Sequence, residues 1–273
     1  SENRAGRLVI RYPNDLVEAI VYGRFVDENY NPDMGFVERR DIWESRVRIL
    51  YNPRPDIPRV QQMHFIPVDI YFVTSKSGKL ITREQVFSPF GVTLSSRDVI
   101  AFYVKNTFDY LEEDFNIFSD VFIPTGGYDW WSCQATLTTD PGRPLSFDAF
   151  FETGDFYSGS KTTIENGLTF NMNRFFGFTA DVVNNYITIG SRDFDTRQYG
   201  LRLNTNFTTR LYARTYYQWN NNDKLANLNF RVQFIPQIGS DVFFVYNQIW
   251  DGNQDYQTTF NTAIMKIAYR LAF

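Results

Sequence analysis

The sequence contains one cysteine, Cys133, and one histidine, His64, among its 273 residues. A lone cysteine cannot form an internal disulfide, and one residue of each type cannot supply a Cys/His catalytic constellation. The chain also lacks metal-ligand spacing, a phosphate-binding glycine loop and a serine-centred nucleophile elbow. We therefore expect no enzyme, no cofactor and no metal site, and we assign no catalytic role to His64.

Long apolar runs are missing too. No stretch approaches the ~18 consecutive apolar residues that a membrane-spanning helix requires. The first four residues, SENR, lack the basic start and apolar core of a signal peptide, so the chain is predicted to be a mature protein or a piece of a longer one. The formal net charge is −4, which argues against a nucleic-acid partner.

Aromatic residues, in contrast, are abundant: 27 Phe, 17 Tyr and 5 Trp make up 18% of the chain. With a mean hydropathy of −0.35, this excess is typical of membrane barrels, in which only alternate residues of each strand meet lipid. Period-two alternation is clear in the last five strands. In the final one, apolar residues at odd positions from 263 to 273 alternate with a set that includes Lys266 and Arg270.

Short turn-forming segments alternate with longer polar segments along the chain. The short segments are 12–15, 94–98, 140–144, 173–174, 207–209 and 236–240, and the longer ones are 27–35, 111–128, 156–162, 190–195, 220–224 and 251–256. Bacterial outer-membrane barrels are built in this way, with short periplasmic turns and long extracellular loops. Only residues 108–120 are predicted to hold a short helix.

The sequence thus predicts an all-β protein, a transmembrane antiparallel up-and-down β-barrel over residues 1–273 with about 15 strands. Because a bore of that size is too wide for side chains to fill, the apolar face is expected to meet lipid. A two-layer sandwich is the soluble alternative. Single-chain barrels usually have an even number of strands, so the full protein is expected to have roughly 16 or more, with at least one before Ser1.

Three segments carry a resemblance to a known family. They are GFVERRD at 35–41 after NPDM, TGDFYSG at 153–159, and GSDVFFVYN at 239–247, followed by a closing strand that ends YRLAF. Together they resemble the C-terminal barrel of an uncharacterised outer-membrane family of Bacteroidota-type bacteria. Members of that family carry an N-terminal module similar to family-nine carbohydrate-binding domains. The resemblance implies a barrel in the cell outer membrane and a missing N-terminal portion, and it transfers no sugar-binding residue to this chain.

Charged residues that strand parity places inside the barrel form two predicted lumen walls. The acidic wall consists of Asp148, Glu152, Glu165 and Asp181, and the basic wall of Arg202, Arg210, Arg214, Arg231, Lys266 and Arg270. Opposed walls of opposite sign create a transverse field that selects polar solutes. The alternative is that these charges simply pair with one another, because buried charges need solvent or a partner.

Three further features bear on contacts with lipid and with partners. The segment 111–128, the predicted long extracellular loop, is too apolar for a solvated loop, and it either constricts the bore, docks a partner or covers its own rim. Aromatic residues near strand ends, such as Trp219 and Trp250, are typical of interfacial girdles. Phe273 resembles the C-terminal aromatic residue that the outer-membrane assembly machinery reads.

The leading hypothesis is an outer-membrane barrel, in contact with lipid, that passes or binds polar solutes such as saccharides. The alternative is a non-conducting structural or accessory subunit that joins other outer-membrane proteins in an export, assembly or surface-display complex.

Overall fold

The computed structural model describes residues 3–32, 35–118 and 120–270. Strands make up 71% of the chain and helix 1%, which confirms the all-β prediction. The first nine strands are β1 (Ala5–Tyr12), β2 (Val17–Val26), β3 (Ile42–Tyr51), β4 (Val60–Met63), β5 (Phe65–Ser75), β6 (Leu80–Leu94), β7 (Val99–Leu111), β8 (Phe115–Phe118) and β9 (Val121–Ile123). The next nine are β10 (Gly126–Thr138), β11 (Leu145–Phe156), β12 (Gly159–Asn171), β13 (Phe176–Ile189), β14 (Arg192–Asn206), β15 (Leu211–Asn220), β16 (Leu225–Phe234), β17 (Asp241–Asp251) and β18 (Gln257–Ala268).

Sixteen of these strands form one antiparallel sheet with up-and-down order. Fifteen of the described strands follow one another in a row from β1 to β18, while β4 lies off that row and pairs with β6. The remaining two, β8 and β9, form a hairpin of their own. The helix predicted within 108–120 is wrong, because residues 108–111 belong to β7 and residues 115–118 form β8. Among the described residues, the only helix is a 3₁₀ turn at Gly252–Gln254, and no helix there is long and apolar enough to cross a membrane.

The chain divides into two compact units. Unit 1 comprises the described parts of Ser1–Leu137 together with Phe151–Thr162 and Ile187–Asp193. Unit 2 comprises Thr138–Phe150, Thr163–Tyr186 and the described part of Phe194–Phe273.

Two of the connections predicted to be long are tight turns. β11 and β12 are joined by Tyr157 and Ser158 alone, and β13 and β14 by Gly190 and Ser191. The predictions of longer loops over 156–162 and 190–195 are therefore wrong. The turns close because Tyr157 (φ 51°) and Gly190 (φ 60°) take left-handed backbone conformations, which suit tight reversals between strands. The predicted loop 111–128 is interrupted by the β8–β9 hairpin.

In unit 1, strand pleating separates an apolar face from a polar face. One row of the apolar face runs across four strands, with Ile10 opposite Val21, Val21 opposite Val47, and Val47 opposite Ile70. These side chains are not covered by protein: Ile10 is 60% exposed, and Val21 and Val47 are also exposed. The described residues of the chain therefore leave this apolar face uncovered.

Unit 2 repeats the pattern in its last five strands. Thr205 pairs with Ala213, Ala213 with Val232, Val232 with Phe244, and Phe244 with Met265. Met265 is 65% exposed and Ile267 64%. The alternation predicted for these strands thus places apolar residues opposite one another from β15 to β18 in the observed register.

A small protein core lies at one end of the first strands in unit 1. Val26, Ile42 and Val73 are almost fully buried there, with Tyr30, Val37, Tyr71 and Ile81 packed against them. Next to this core, the buried Asp27 carboxylate accepts hydrogen bonds from Lys76 Nζ, from the Arg4 backbone N–H at 2.9 Å and from Arg4 Nε at 3.3 Å. The hydrogen bond from Lys76, followed by those from Arg4, lowers the Asp27 pKa below its ordinary value of 3.8.

Candidate polar-solute site

The polar face of unit 1 carries ion pairs between adjacent strands. Arg24 Nη2 lies 2.6 Å from Glu44 Oε1, and Lys105 Nζ lies 2.7 Å from Glu84 Oε1. Arg46 makes a bidentate pair with Asp69, at 2.8 Å through Nε and 2.7 Å through Nη2. Such pairing holds strands in register, and it leaves few free charges on this part of the face.

Sequence reasoning missed this set of charges. A signal was present, because Glu44, Arg46 and Arg48 alternate with Trp43, Ser45 and Val47 along β3. The same period-two rule that identified the walls in the second half of the chain applies here.

An open cleft of about 330 Å³ lies on the polar face of unit 1, and we call it the aromatic cleft. Its lining comes from β6, β7, β10, β11, the β11–β12 turn, β12 and the residue Arg39. The described residues that line it are Arg39, Thr82, Glu84, Lys105, Thr107, Asp109, Trp130, Ser132, Glu152, Asp155, Phe156, Tyr157 and Lys161.

Two glycines allow the TGDFYSG segment to approach its neighbours. A Cβ on Gly154 would lie 2.3 Å from the carbonyl oxygen of Trp131, and one on Gly159 would lie 1.8 Å from that of Thr188. Both distances are far below van der Waals contact, so only glycine fits at these positions. The close approach brings Tyr157 and its neighbours over the aromatic cleft.

Glu152, a predicted member of the acidic wall, is one of the four carboxylates among the described residues that line the aromatic cleft. Its Oε1 accepts hydrogen bonds from Ser132 Oγ at 2.9 Å and Gln134 Nε2 at 3.0 Å, and its Oε2 lies 3.3 Å from Lys161 Nζ. The side chain is only 16% exposed. For this residue the structure shows a paired arrangement, in which the carboxylate is satisfied by neighbouring side chains.

Aromatic rings also line the cleft. Trp130 lies 4.8 Å from Tyr157 and 6.0 Å from Phe156 between ring centroids, and Tyr157 lies 5.3 Å from Tyr128 in an edge-to-face arrangement. These separations are those of favourable aromatic pairs. The Tyr157 hydroxyl donates to Asp109 Oδ2 at 3.1 Å. Burial, and then the negative charge of Asp109, raise the Tyr157 pKa to about 12.

The other three residues of the predicted acidic wall lie in unit 2, in β11, β12 and β13. A Cβ on Gly167 would lie 3.5 Å from Asp181 Oδ1 and 3.9 Å from Asp148 Oδ2, so the two carboxylates approach each other across this glycine. Within the described part of the chain, Asp148, Glu165 and Asp181 form no ion pair.

Four residues of the predicted basic wall lie on strands of unit 2: Arg202 in β14, Arg214 in β15, Arg231 in β16 and Lys266 in β18. Arg214 stands directly opposite Arg231 in the β15–β16 register. Arg202 lies over the Tyr216 ring and Arg214 over the Tyr212 ring, at 5.2 and 5.6 Å. None of these four cations has a carboxylate partner among the described residues.

The other two members of the basic wall do not lie in strands. Arg210 precedes β15, and its Nη1 donates to the carbonyl oxygen of Pro236 at 3.2 Å. Arg270 follows β18, and its backbone N–H donates to the buried Ser240 hydroxyl at 2.9 Å. Phe273, the predicted assembly signal, lies outside the described residues.

His64 lies between β4 and β5. Its Nδ1 is 3.0 Å from Asn52 Oδ1 and its Nε2 is 2.7 Å from Thr93 Oγ1. Burial, and then the nearby Arg54 charge, lower the His64 pKa below its ordinary value of 6.5. No group of three or more His, Cys, Asp or Glu residues suited to a metal ion occurs in the described part of the chain.

No protein-family model matches this chain, and no curated protein matches its sequence.

Proposed function

We propose that this chain forms a transmembrane β-barrel of the bacterial outer membrane that passes or binds polar solutes such as saccharides. The observation that carries the proposal is the contrast between the two faces of the sheet. Large apolar side chains are exposed in register on one face, while the other carries charges, amides and hydroxyls. An exposed apolar surface of this extent is typical of contact with lipid.

The edges of the sheet support closure into a barrel. β1 and β18 each have one neighbour in the row, and both are exposed along almost their whole length. Long exposed strand edges with apolar side chains are prone to aggregation, and barrels remove them by pairing edge with edge. Lipid would contact the apolar face, and the C-terminal strand would carry the signal for the outer-membrane assembly machinery. The resemblance of the three sequence segments to a Bacteroidota-type barrel family supports the same placement.

The charges of unit 2 support a role in solute selection. Arg202, Arg214, Arg231 and Lys266 share one sheet face and lack carboxylate partners within the described residues. Unneutralised charges on a solvated wall create a local field that attracts counter-ions and orients polar solutes.

One observation favours a second function, that of a non-conducting accessory subunit docked to other outer-membrane proteins. Phe115 and Phe122 of the β8–β9 hairpin are 43% and 55% exposed, and the acidic residues Glu112 and Glu113 precede Phe115 in the sequence. Exposed aromatic side chains with charged neighbours are common in protein–protein interfaces.

Adjacent residues in β10 test which face meets lipid. Cys133 is exposed and lies on the same side of the strand as Trp131, whereas Gln134 donates a hydrogen bond to Glu152 on the polar face. A solvent-sensitive fluorophore on Cys133, in protein inserted into vesicles, should emit at short wavelength and be quenched by spin-labelled lipid. The same fluorophore in Cys133→Ser/Gln134→Cys should be quenched by aqueous iodide instead. Equal aqueous quenching at both positions would rule out a lipid-facing apolar side.

Single-channel recording tests solute passage. Steady ohmic openings whose anion preference falls in Arg214→Glu or Arg231→Glu would support an open pore with the basic wall in its lumen. A correctly inserted barrel that never conducts would exclude the pore and favour the accessory-subunit function.

A further inference from the structure

The charges that line the aromatic cleft nearly cancel. Its described lining residues include three cations, Arg39, Lys105 and Lys161, and four carboxylates, Glu84, Asp109, Glu152 and Asp155. Lys105 pairs with Glu84, and Lys161 with Glu152. A strongly anionic or cationic ligand would need an excess of opposite charge, and the cleft does not offer one.

Hydrogen-bonding capacity nevertheless remains. Asp155 is exposed and accepts no hydrogen bond within the described residues, while Lys161 donates to Glu152 and has ammonium protons left over. Asp109 accepts one bond from Thr82 and one from Tyr157, which leaves lone pairs free. A ligand rich in hydroxyl groups matches such a lining, because each hydroxyl both donates and accepts.

The aromatic rings supply an apolar platform. Trp130 and Tyr157 are half-buried, and both line the cleft. The electron-rich face of an aromatic ring attracts C–H groups that carry partial positive charge, and the faces of a pyranose ring are made of such groups. The volume of about 330 Å³ lies at the lower end of the ~300–1,000 Å³ range of small-molecule sites.

From these observations we infer that the aromatic cleft binds a neutral saccharide, which stacks on Trp130 and hydrogen-bonds to Asp155 and Lys161. The inference rests on the proposed function in one respect, namely that solutes reach the polar face of the sheet. It adds the binding residues and the charge class of the ligand.

The test is equilibrium binding to the full chain in detergent micelles, measured by calorimetry. The probes are maltose, cellobiose, xylobiose and N,N′-diacetylchitobiose, which differ in linkage geometry and in the presence of acetamido groups. At least one should bind with a dissociation constant below about 1 mM. Trp130→Ala should weaken that binding by about tenfold or more.

Trp131→Ala is the matched control, because Trp131 is adjacent in sequence but lies on the opposite face and is 57% exposed. It should leave binding unchanged. Asp155→Asn provides a second variant whose exposed position leaves folding intact, and it should weaken binding by a few-fold. Folding of every variant is checked by circular dichroism.

Absence of saturable binding for all four probes by the folded wild-type chain would overturn the inference. An equal effect of Trp130→Ala and Trp131→Ala would overturn it too. Tighter binding of glucosamine or glucuronate than of glucose would contradict the neutral class of ligand. A chain that inserts and conducts but binds no saccharide would refute this inference alone, whereas a chain that binds saccharide but shows no lipid contact at Cys133 would refute the proposed membrane role.

Discussion

Two bidentate arginine–aspartate pairs of nearly identical geometry lie in different surroundings in unit 1. Arg46 donates to Asp69 at 2.8 and 2.7 Å, and Arg54 donates to Asp15 at 2.8 and 3.0 Å. Asp69 is 4% exposed and also lies 3.4 Å from Arg48 Nε. The side chain of Asp15 is 69% exposed. The same substitution at the two positions therefore compares a buried pair with an exposed one.

We expect Asp69→Asn to lower the free energy of unfolding by about 2–3 kcal/mol. A net contribution of ~1.5–3 kcal/mol is typical of a hydrogen bond to a charged group, and removal of one partner from a fully buried pair costs ~3–5 kcal/mol. The expected loss lies below the range for a fully buried pair because the Arg46 side chain is 42% exposed and can be hydrated once Asp69 is replaced. Asp15→Asn should cause no resolvable loss, since exposed pairs contribute little.

The measurement is urea unfolding of the chain in lipid vesicles, followed by tryptophan fluorescence, with the denaturant dependence fitted for each variant. Equal losses for Asp69→Asn and Asp15→Asn would refute the argument, because hydrogen-bond geometry alone would then account for both. A gain in stability in Asp69→Asn would show that the desolvation of Asp69 outweighs its two arginine partners.

Three further predictions concern other parts of the chain. The ionised Asp27 carboxylate stabilises the fold above about pH 4, and this stabilisation is lost as the pH falls through the lowered Asp27 pKa. Asp27→Asn lacks it at every pH. The difference in free energy of unfolding between wild type and Asp27→Asn should therefore shrink below about pH 4 in acid-unfolding curves. Gly159→Ala should cost about 3 kcal/mol or more in urea unfolding, because its Cβ would overlap a backbone carbonyl. Arg231→Glu should stabilise the chain by about 0.5 kcal/mol, because it replaces repulsion of Arg214 by attraction across the strand pair.

Each of these has a control. A Lys76→Met variant should show the same loss of pH dependence as Asp27→Asn, and a pH-independent gap would contradict the assigned ion pair. Gly23→Ala is the match for Gly159→Ala, because nothing lies within 4 Å of a Cβ on Gly23; equal costs would exclude the overlap argument. The gain in Arg231→Glu should fall in concentrated salt, which screens exposed charges, and an unchanged gain would rule out a Coulombic origin.

The sequence alone determined the strand-rich class, the antiparallel order and the faces of the last strands. Alternate side chains of a strand point to opposite sides, so the pattern from Tyr199 to Ala268 specifies which residues share a face without reference to any partner strand. This rule predicts that Arg202, Arg214 and Arg231 share one face, and the observed register places them on the same face.

Only the tertiary structure decided how the charges pair and how the turns close. The ion pairs of Glu152 with Lys161 and of Arg46 with Asp69 depend on the register between strands. Period-two alternation does not specify that register. The tight turn at Tyr157 and Ser158 is followed by Gly159, where the carbonyl of Thr188 leaves no room for a side chain. Alternation is a local property of one strand, whereas these contacts join residues that are distant in sequence.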